Sequence, residues 1–279
     1  MPTPSPAAAP LTIAALQQRS RQIRREILQM VARVKSSHIG GSFSVTDILT
    51  ALYFGVMTID PARPDWPQRD RLIFSKGHCA AALYATLAVR GFVPVAKLAE
   101  YFADGAQLIG HPTRGCLPGV EATSGSLGHG LPMGSGMAFA AKQDGAPHRV
   151  FVIMSDGECD EGAVWEAALI ARQHRLDNLI AVVDYNHLQG FGRTDAVADL
   201  EPFADKWRAF GWGVREGNGH DFTALLDTFN ALPFSPGKPN VVIARTVKGK
   251  GVSFMENNVD FHGKAPTVAE VEIALKELE

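Results

Sequence analysis

Three short runs, residues 149–154, 179–183 and 241–244, are apolar almost throughout, and a helix-patterned segment, 162–174, separates the first two. A strand that is apolar on both faces must be covered on both faces. The runs therefore predict an α/β fold, a parallel sheet with helices on both faces. Arg71-Leu72-Ile73-Phe74 reads as a fourth, short strand of the same sheet. Open sheets of this kind bind ligands beyond the C-terminal ends of their strands, so the residues that follow each run matter most.

The rest of the chain supplies the helices. Ile23, Ile27, Met30, Val31 and Val34 fall on one helical face, with Arg21, Arg24, Arg25 and Glu26 between them as a solvated face. That helix should end near Lys35, before the small-residue segment 36–42, and Thr46-Asp47-Ile48 should open a second helix toward Phe54. Pro61, Pro64 and Pro67 mark a loop. Residues 79–90 are Ala/Leu-rich and helical, stopped by Gly91, whereas 105–136 read as one long loop. Residues 1–10 are Pro/Ala-rich, without a basic start and long apolar core, and read as a flexible lead. No linker or repeat interrupts 11–279, which is expected to form a single domain.

With 46 % hydrophobic residues in 279, a core large enough for such a sheet is available, and a disordered chain is excluded. The 27 basic and 29 acidic residues leave a net charge of −2, so no global field draws the chain to nucleic acid or to an anionic membrane. No apolar run reaches the roughly 20 residues of a membrane span. The three cysteines, Cys79, Cys116 and Cys159, make neither a disulfide framework nor a zinc cluster, as expected of a cytoplasmic protein.

Ser155-Asp156-Gly157-Glu158 stands at the end of one apolar run and Asp184-Tyr185-Asn186-His187-Leu188 at the end of the next. Neighbouring parallel strands would bring Asp156 and Asn186 side by side. A carboxylate, an amide oxygen and a backbone carbonyl are hard donors suited to Mg²⁺ or Ca²⁺, which would complete its shell with phosphate oxygens and water. The helix from Gly162 would add its N-terminal dipole for an anion. The alternative is that Asp156 only caps that helix and Asn186 starts a turn. Of nine histidines, His78, His111, His129 and His220 follow glycine, His38 shortly precedes Gly40-Gly41, and His262 precedes Gly263. Such neighbours suit tight turns that aim imidazoles into a cleft, where they bind hydroxyls and phosphates or move protons. Cys159 has no base partner in the sequence and reads as a buried small residue. Lys248-Gly249-Lys250-Gly251 lacks P-loop spacing and reads as a mobile loop near the site.

Asp156-Gly157 followed by Asn186 resembles the diphosphate-binding motif of thiamine diphosphate enzymes. Further stretches narrow the resemblance to the transketolase family: 37–42, 70–78, Gly110-His111-Pro112, 118–121, 123–128, Glu161-Gly162, Trp165-Glu166-Ala167 and 246–251. The resemblance implies that Asp156, Asn186 and the Leu188 carbonyl hold the divalent ion. It also implies that Gly157, His78 and His262 meet the diphosphate and that Gly125, Ser126 and Leu127 line the cofactor. His38, His111 and His262 would face the donor and acceptor sugars. Glu161 and Glu166 would lie at a subunit contact, near the glutamate that activates the cofactor. Departures from the pattern are Ser155 for Gly, Ser37 for Gly, His129 for Gln, and Gly190-Phe191 where Ile-Asp is frequent.

The resemblance is to the N-terminal, diphosphate-binding domain only, about half of a complete transketolase chain. It implies an N-terminal subunit of a split transketolase that binds thiamine diphosphate and Mg²⁺. Its Met1 and a final helix from Thr267 through Leu278 are expected of a natural subunit rather than a fragment. A C-terminal subunit would supply the pyrimidine-binding domain, in a heterotetramer of two each. The pair would move a two-carbon ketol unit between sugar phosphates, and this chain alone would be inactive. The rivals are an alpha-type subunit of a 2-oxo acid dehydrogenase and a non-catalytic cofactor-binding subunit.

Overall fold

The computed structural model describes residues 11–279; the lead expected over 1–10 lies outside the described residues. Five parallel strands form one sheet in the order β1-β2-β3-β7-β6. They are β1 (Arg71–Phe74), β2 (Val150–Ser155), β3 (Leu179–Tyr185), β6 (Gly213–Asn218) and β7 (Asn240–Arg245). Between β3 and β6 a small antiparallel hairpin, β4 (Leu188–Gln189) and β5 (Gly192–Arg193), stands apart from the sheet.

Side chains alternate across the pleat, and each set finds its own cover. Phe74, Ile153, Val182 and Val242 pack beneath α1 (Ile13–Val34), α2 (Ile39–Ala51) and α3 (Ala80–Arg90). Ile73, Val152, Val183 and Ile243 face α4 (Gly130–Gln143), α5 (Gly162–Gln173) and α7 (Phe203–Ala209). A single turn, α6 (Thr194–Val197), follows the hairpin, α8 (Phe222–Asn230) joins the first layer, and α9 (Val268–Glu277) packs outside α1. The doubly covered α/β fold expected from the sequence is therefore the one observed. The register sets Ser155 beside Asp184 and Asp184 beside Ala244, so β2, β3 and β7 end level with one another.

Four local expectations are corrected. Arg24 is not on a solvated face: it is 5 % exposed and paired with Asp47 on α2 at 2.8 Å. The second helix starts at Ile39, not near Thr46, so the glycines of the small-residue segment are helical. A Cβ on Gly41 would stand 2.8 Å from Cys79 Sγ, and close packing there overrides glycine's poor helix propensity. The long loop ends at His129, because α4 begins at Gly130. A side chain at Gly134 would collide with Val152 on β2, so the glycines that disguise this helix let it lie on the sheet. Finally, β6 carries Arg215, Glu216 and Asn218 on a sheet edge, where solvation replaces the apolar signature of the inner strands.

With its following π-turn, α2 forms an 18-residue helix, the one among the described residues apolar and long enough to cross a membrane. It is 83 % buried inside the fold, which makes it the core helix of the first layer.

Candidate active site

Four strand ends deliver the site. After β1 come Ser75, Lys76, Gly77 and His78; after β2, Asp156 and Gly157; after β3, Asn186 and Leu188; after β7, Thr246 and Lys248. They meet in a cleft of about 350 Å³ that His38, Gly125, Leu127, Gly190, Phe191 and His262 also line. Asp156 and Asn186, expected to be neighbours, do line the same cleft. The Cys159 thiol is buried and pushed well above its usual pKa by burial and then by Glu158, so it is no nucleophile.

Glycine allows the closest approach in this site at Gly77. A Cβ there would lie 2.8 Å from the Ser124 carbonyl carbon and 2.9 Å from the Gly125 nitrogen, so the loop after β1 and the 124–127 loop touch backbone to backbone. Glu158 ties the second loop from beneath. Its carboxylate, fully buried, accepts from Gly128 N at 3.0 Å and Ser155 N at 3.3 Å, and from the Ser75 hydroxyl.

The base of the cleft is charged. Lys76 and Asp184 form an ion pair with both side chains at most 1 % exposed, and Ser44 and Thr246 hydroxyls complete the Asp184 carboxylate. Burial opposes charge on both, but their pairing wins, raising the lysine and lowering the aspartate. Asp156 has no such partner. It is 1 % exposed, accepts the N–H groups of Gly157 at 2.8 Å and His187 at 2.6 Å, and forms no salt bridge among the described residues. Burial first, and the nearby Asp184 second, push its pKa up to about 6. A buried carboxyl lacking a cation, with the Asn186 amide and the Leu188 carbonyl in the same cleft, fits a hard divalent ion.

The histidines gather as expected. The His38 ring centroid lies 5.2 Å from His78, 5.0 Å from His262 and 6.3 Å from His111, and His78 stacks on His262 at 5.9 Å. His38 sits at φ 69° just before α2, a left-handed conformation that costs a non-glycine residue free energy and directs its ring into the cluster. Burial lowers His38 to about 4, helped by His111, Lys248 and Lys76. Burial, then Lys248, His38 and Lys76, lowers His262 to about 3. Both rings are therefore neutral near pH 7.

Not every expected residue reaches the cleft. His111 is exposed and borders an adjoining hollow shared with His38, and Ser126 is exposed beside the cleft loop. Glu161 and Glu166 lie outside the cleft on the molecular surface, and Glu166 borders an open hollow with Phe139 and Ile170. His129 is exposed next to α4, and His220 is built into the interior. Lys248 belongs to the site rather than to a merely nearby loop. It is 2 % exposed, and its Nζ donates to Leu188 O at 2.9 Å and bonds His262 Nδ1 at 2.8 Å. Lys76, Asp184, Glu158 and Lys248 carry no role in the sequence reading. The signal for them is position, each lying within three residues of a strand end.

Sequence comparison places these residues in context. The family described as transketolase, thiamine diphosphate binding domain, matches residues 16–278. One of the two subunits of the apulose-4-phosphate transketolase of Phocaeicola vulgatus is 42 % identical over 268 residues, covering 96 % of this chain and 95 % of that protein. The 6-deoxy-6-sulfo-D-fructose transketolase subunit SqwG of Clostridium sp. is 42 % identical over 264 residues, covering 95 % and 96 %. Among solved structures, the transketolase of Campylobacter jejuni superposes with a TM-score of 0.90 at 30 % identity. That match covers 96 % of this chain but only 43 % of the solved one, so this chain spans less than half of that enzyme.

Proposed function

The chain belongs to the transketolase family, in its thiamine diphosphate-binding domain, and from that membership we propose that it is the N-terminal subunit of a two-chain transketolase. The observation that carries the reading is Asp156, a buried carboxyl without a cation in a cleft rimmed by four histidines. Mg²⁺ would take the Asp156 carboxylate, the Asn186 amide oxygen and the Leu188 carbonyl, whose second lone pair remains beside Lys248. Once bound, the cofactor supplies the nucleophilic carbon and electron sink for carbon–carbon cleavage.

The protein's share is binding, orientation and proton transfer. Gly157, His78 and His262 hold the diphosphate, and Lys76 and Lys248 set a positive potential beneath it. The Gly125-Ser126-Leu127 backbone lines the cofactor. Neutral His38 and His262, with His111 at the rim, bind sugar hydroxyls and exchange protons with them near pH 7. A 2-oxo acid dehydrogenase has no use for a four-histidine rim, which supports the ketol-transfer reading over that rival. Two relatives matched over nearly their whole length are named as subunits, which supports a separate C-terminal partner in a two-plus-two assembly. Those relatives are named for ketoses with an anionic terminal group, and a sugar phosphate is the substrate class proposed for this chain. Three free, buried cysteines fit a cytoplasmic setting. The test is calorimetric titration of the reconstituted complex with thiamine diphosphate, with Mg²⁺ and with EDTA. Tight binding only with the metal supports the reading, and binding indifferent to the metal overturns the assigned ligands.

A further inference from the structure

We propose that Asp47 and His220 are positioning residues for the cleft: they hold the main chain at Val247 and thereby set Lys248 and the ring of His262. Asp47 lies on α2, in the core, and its carboxylate is bound by Arg24 at 2.8 and 2.9 Å and by Ser20. His220 lies in the turn between β6 and α8, where a Cβ on Gly219 would stand 2.5 Å from Thr246 Cγ2. Glycine at that position lets the turn lie against the end of β7.

His220 Nδ1 is 2.7 Å from Asp47 Oδ2, and its Nε2 accepts the Val247 N–H at 2.8 Å. A backbone N–H can only donate, so Nε2 carries no proton; the proton is on Nδ1 and is donated to Asp47. The main chain and the carboxylate fix one tautomer between them. The next residue is Lys248, whose ammonium donates to Leu188 O and to His262 Nδ1. An ammonium has no lone pair, so His262 Nδ1 accepts and Nε2 carries the hydrogen. That N–H lies on the cleft wall, 3.3 Å from where a Cβ of Gly190 would stand. Downstream, Gly249 N donates to Gly40 O at 2.9 Å and Asn257 N to Lys248 O at 2.9 Å. Upstream, His220 is the side chain that holds the Val247 N–H. One chain of bonds thus runs from α1 to a ring in the cleft. The geometry is independent of which cofactor binds; only the affinity measurement below rests on the thiamine diphosphate reading.

The test compares His220→Gln, His220→Asn and His220→Ala in the full chain. Glutamine places an acceptor near the Nε2 position; asparagine keeps the donor to Asp47 and loses that acceptor. The first readout is the ¹⁵N spectrum of labelled His262, with no ligand. The wild type and His220→Gln should show a fixed Nε2–H ring, and His220→Asn an averaged one. The second is the dissociation constant for thiamine diphosphate with Mg²⁺ in the reconstituted complex. Loss of an orienting outer partner costs about 10- to 100-fold, so His220→Asn and His220→Ala should bind at least about tenfold more weakly, and His220→Gln within about threefold of wild type. On a Lys248→Ala background, His220→Ala should add less than about twofold, because both act through one bond. An unchanged His262 spectrum in His220→Asn, or the same factor on both backgrounds, overturns the proposal. If His220→Ala does not fold, the similarly sized Gln and Asn variants decide. If the wild type binds no thiamine diphosphate, the functional reading fails and the nitrogen spectrum still decides this one.

Discussion

A carboxyl group held at 1 % exposure without a cation is a poor structural choice and a good ligand, and Asp156 is such a group. Asp156→Ala should therefore weaken thiamine diphosphate binding with Mg²⁺ by about 100-fold or more, measured by titration of the complex, while the chain keeps its fold. Unchanged affinity would remove Asp156 from the metal site. The imidazoles test the electrostatics differently. His38 near 4 and His262 near 3 lie below the roughly 6.5 of an unfolded histidine. Below about pH 6.5 the unfolded chain takes up protons that the fold refuses, so their contribution to stability is intact at pH 7 and falls with acidification toward pH 4. Denaturant unfolding of the metal-free chain at pH 7 and pH 5 should show this loss. His262→Ala should show a smaller loss; equal losses would contradict the shift. The pairing of glycine with histidine in the sequence identifies His38, His78, His111 and His262, which do converge. It equally selects His129 and His220, because Gly219 serves packing rather than aim. Lys76 and Lys248 are illegible in the sequence because a lysine in a polar motif reads as solvated, and only the folded sheet shows them buried.

The inner strands are legible as elements because burial on both faces leaves almost no polar positions in them; β1, β2, β3 and β7 match the four runs within two residues. The start of α2, the whole of α4 and the edge strand β6 are not. In the two helices, tertiary contact selects glycine against helix propensity, and in β6 solvent removes the pattern. The same contact logic yields a prediction for the loop after β1. Gly77→Ala drives a Cβ into the backbone of Ser124 and Gly125 and into Ser124 Oγ at 2.7 Å. Neither backbone can yield as a side-chain tip would, so the substitution should destabilise the chain by about 1–3 kcal/mol. It should also displace the 125–127 loop, raising the dissociation constant for the cofactor. Equilibrium unfolding with cofactor titration checks both; a neutral substitution would show that the two loops are not held together as described.

At the scale of the molecule, α4 and α5 present Phe139, Leu169 and Ile170 to solvent, at 37, 58 and 54 % exposure, around the hollow that Glu166 borders. An apolar face of this kind is where a partner chain would bury area. Ile170→Glu should weaken assembly with the C-terminal partner, read by sedimentation, without lowering the melting temperature of the isolated chain. The fold and the transketolase family are readable from the sequence, whereas how this chain meets a partner depends on a surface with no motif. The most direct test of the account is ketol transfer from a ketose phosphate to an aldose phosphate with thiamine diphosphate and Mg²⁺. It is assayed with this chain alone, the C-terminal partner alone, and the two mixed. The account predicts turnover in the mixture and none in either chain by itself; robust transfer by this chain alone would contradict it.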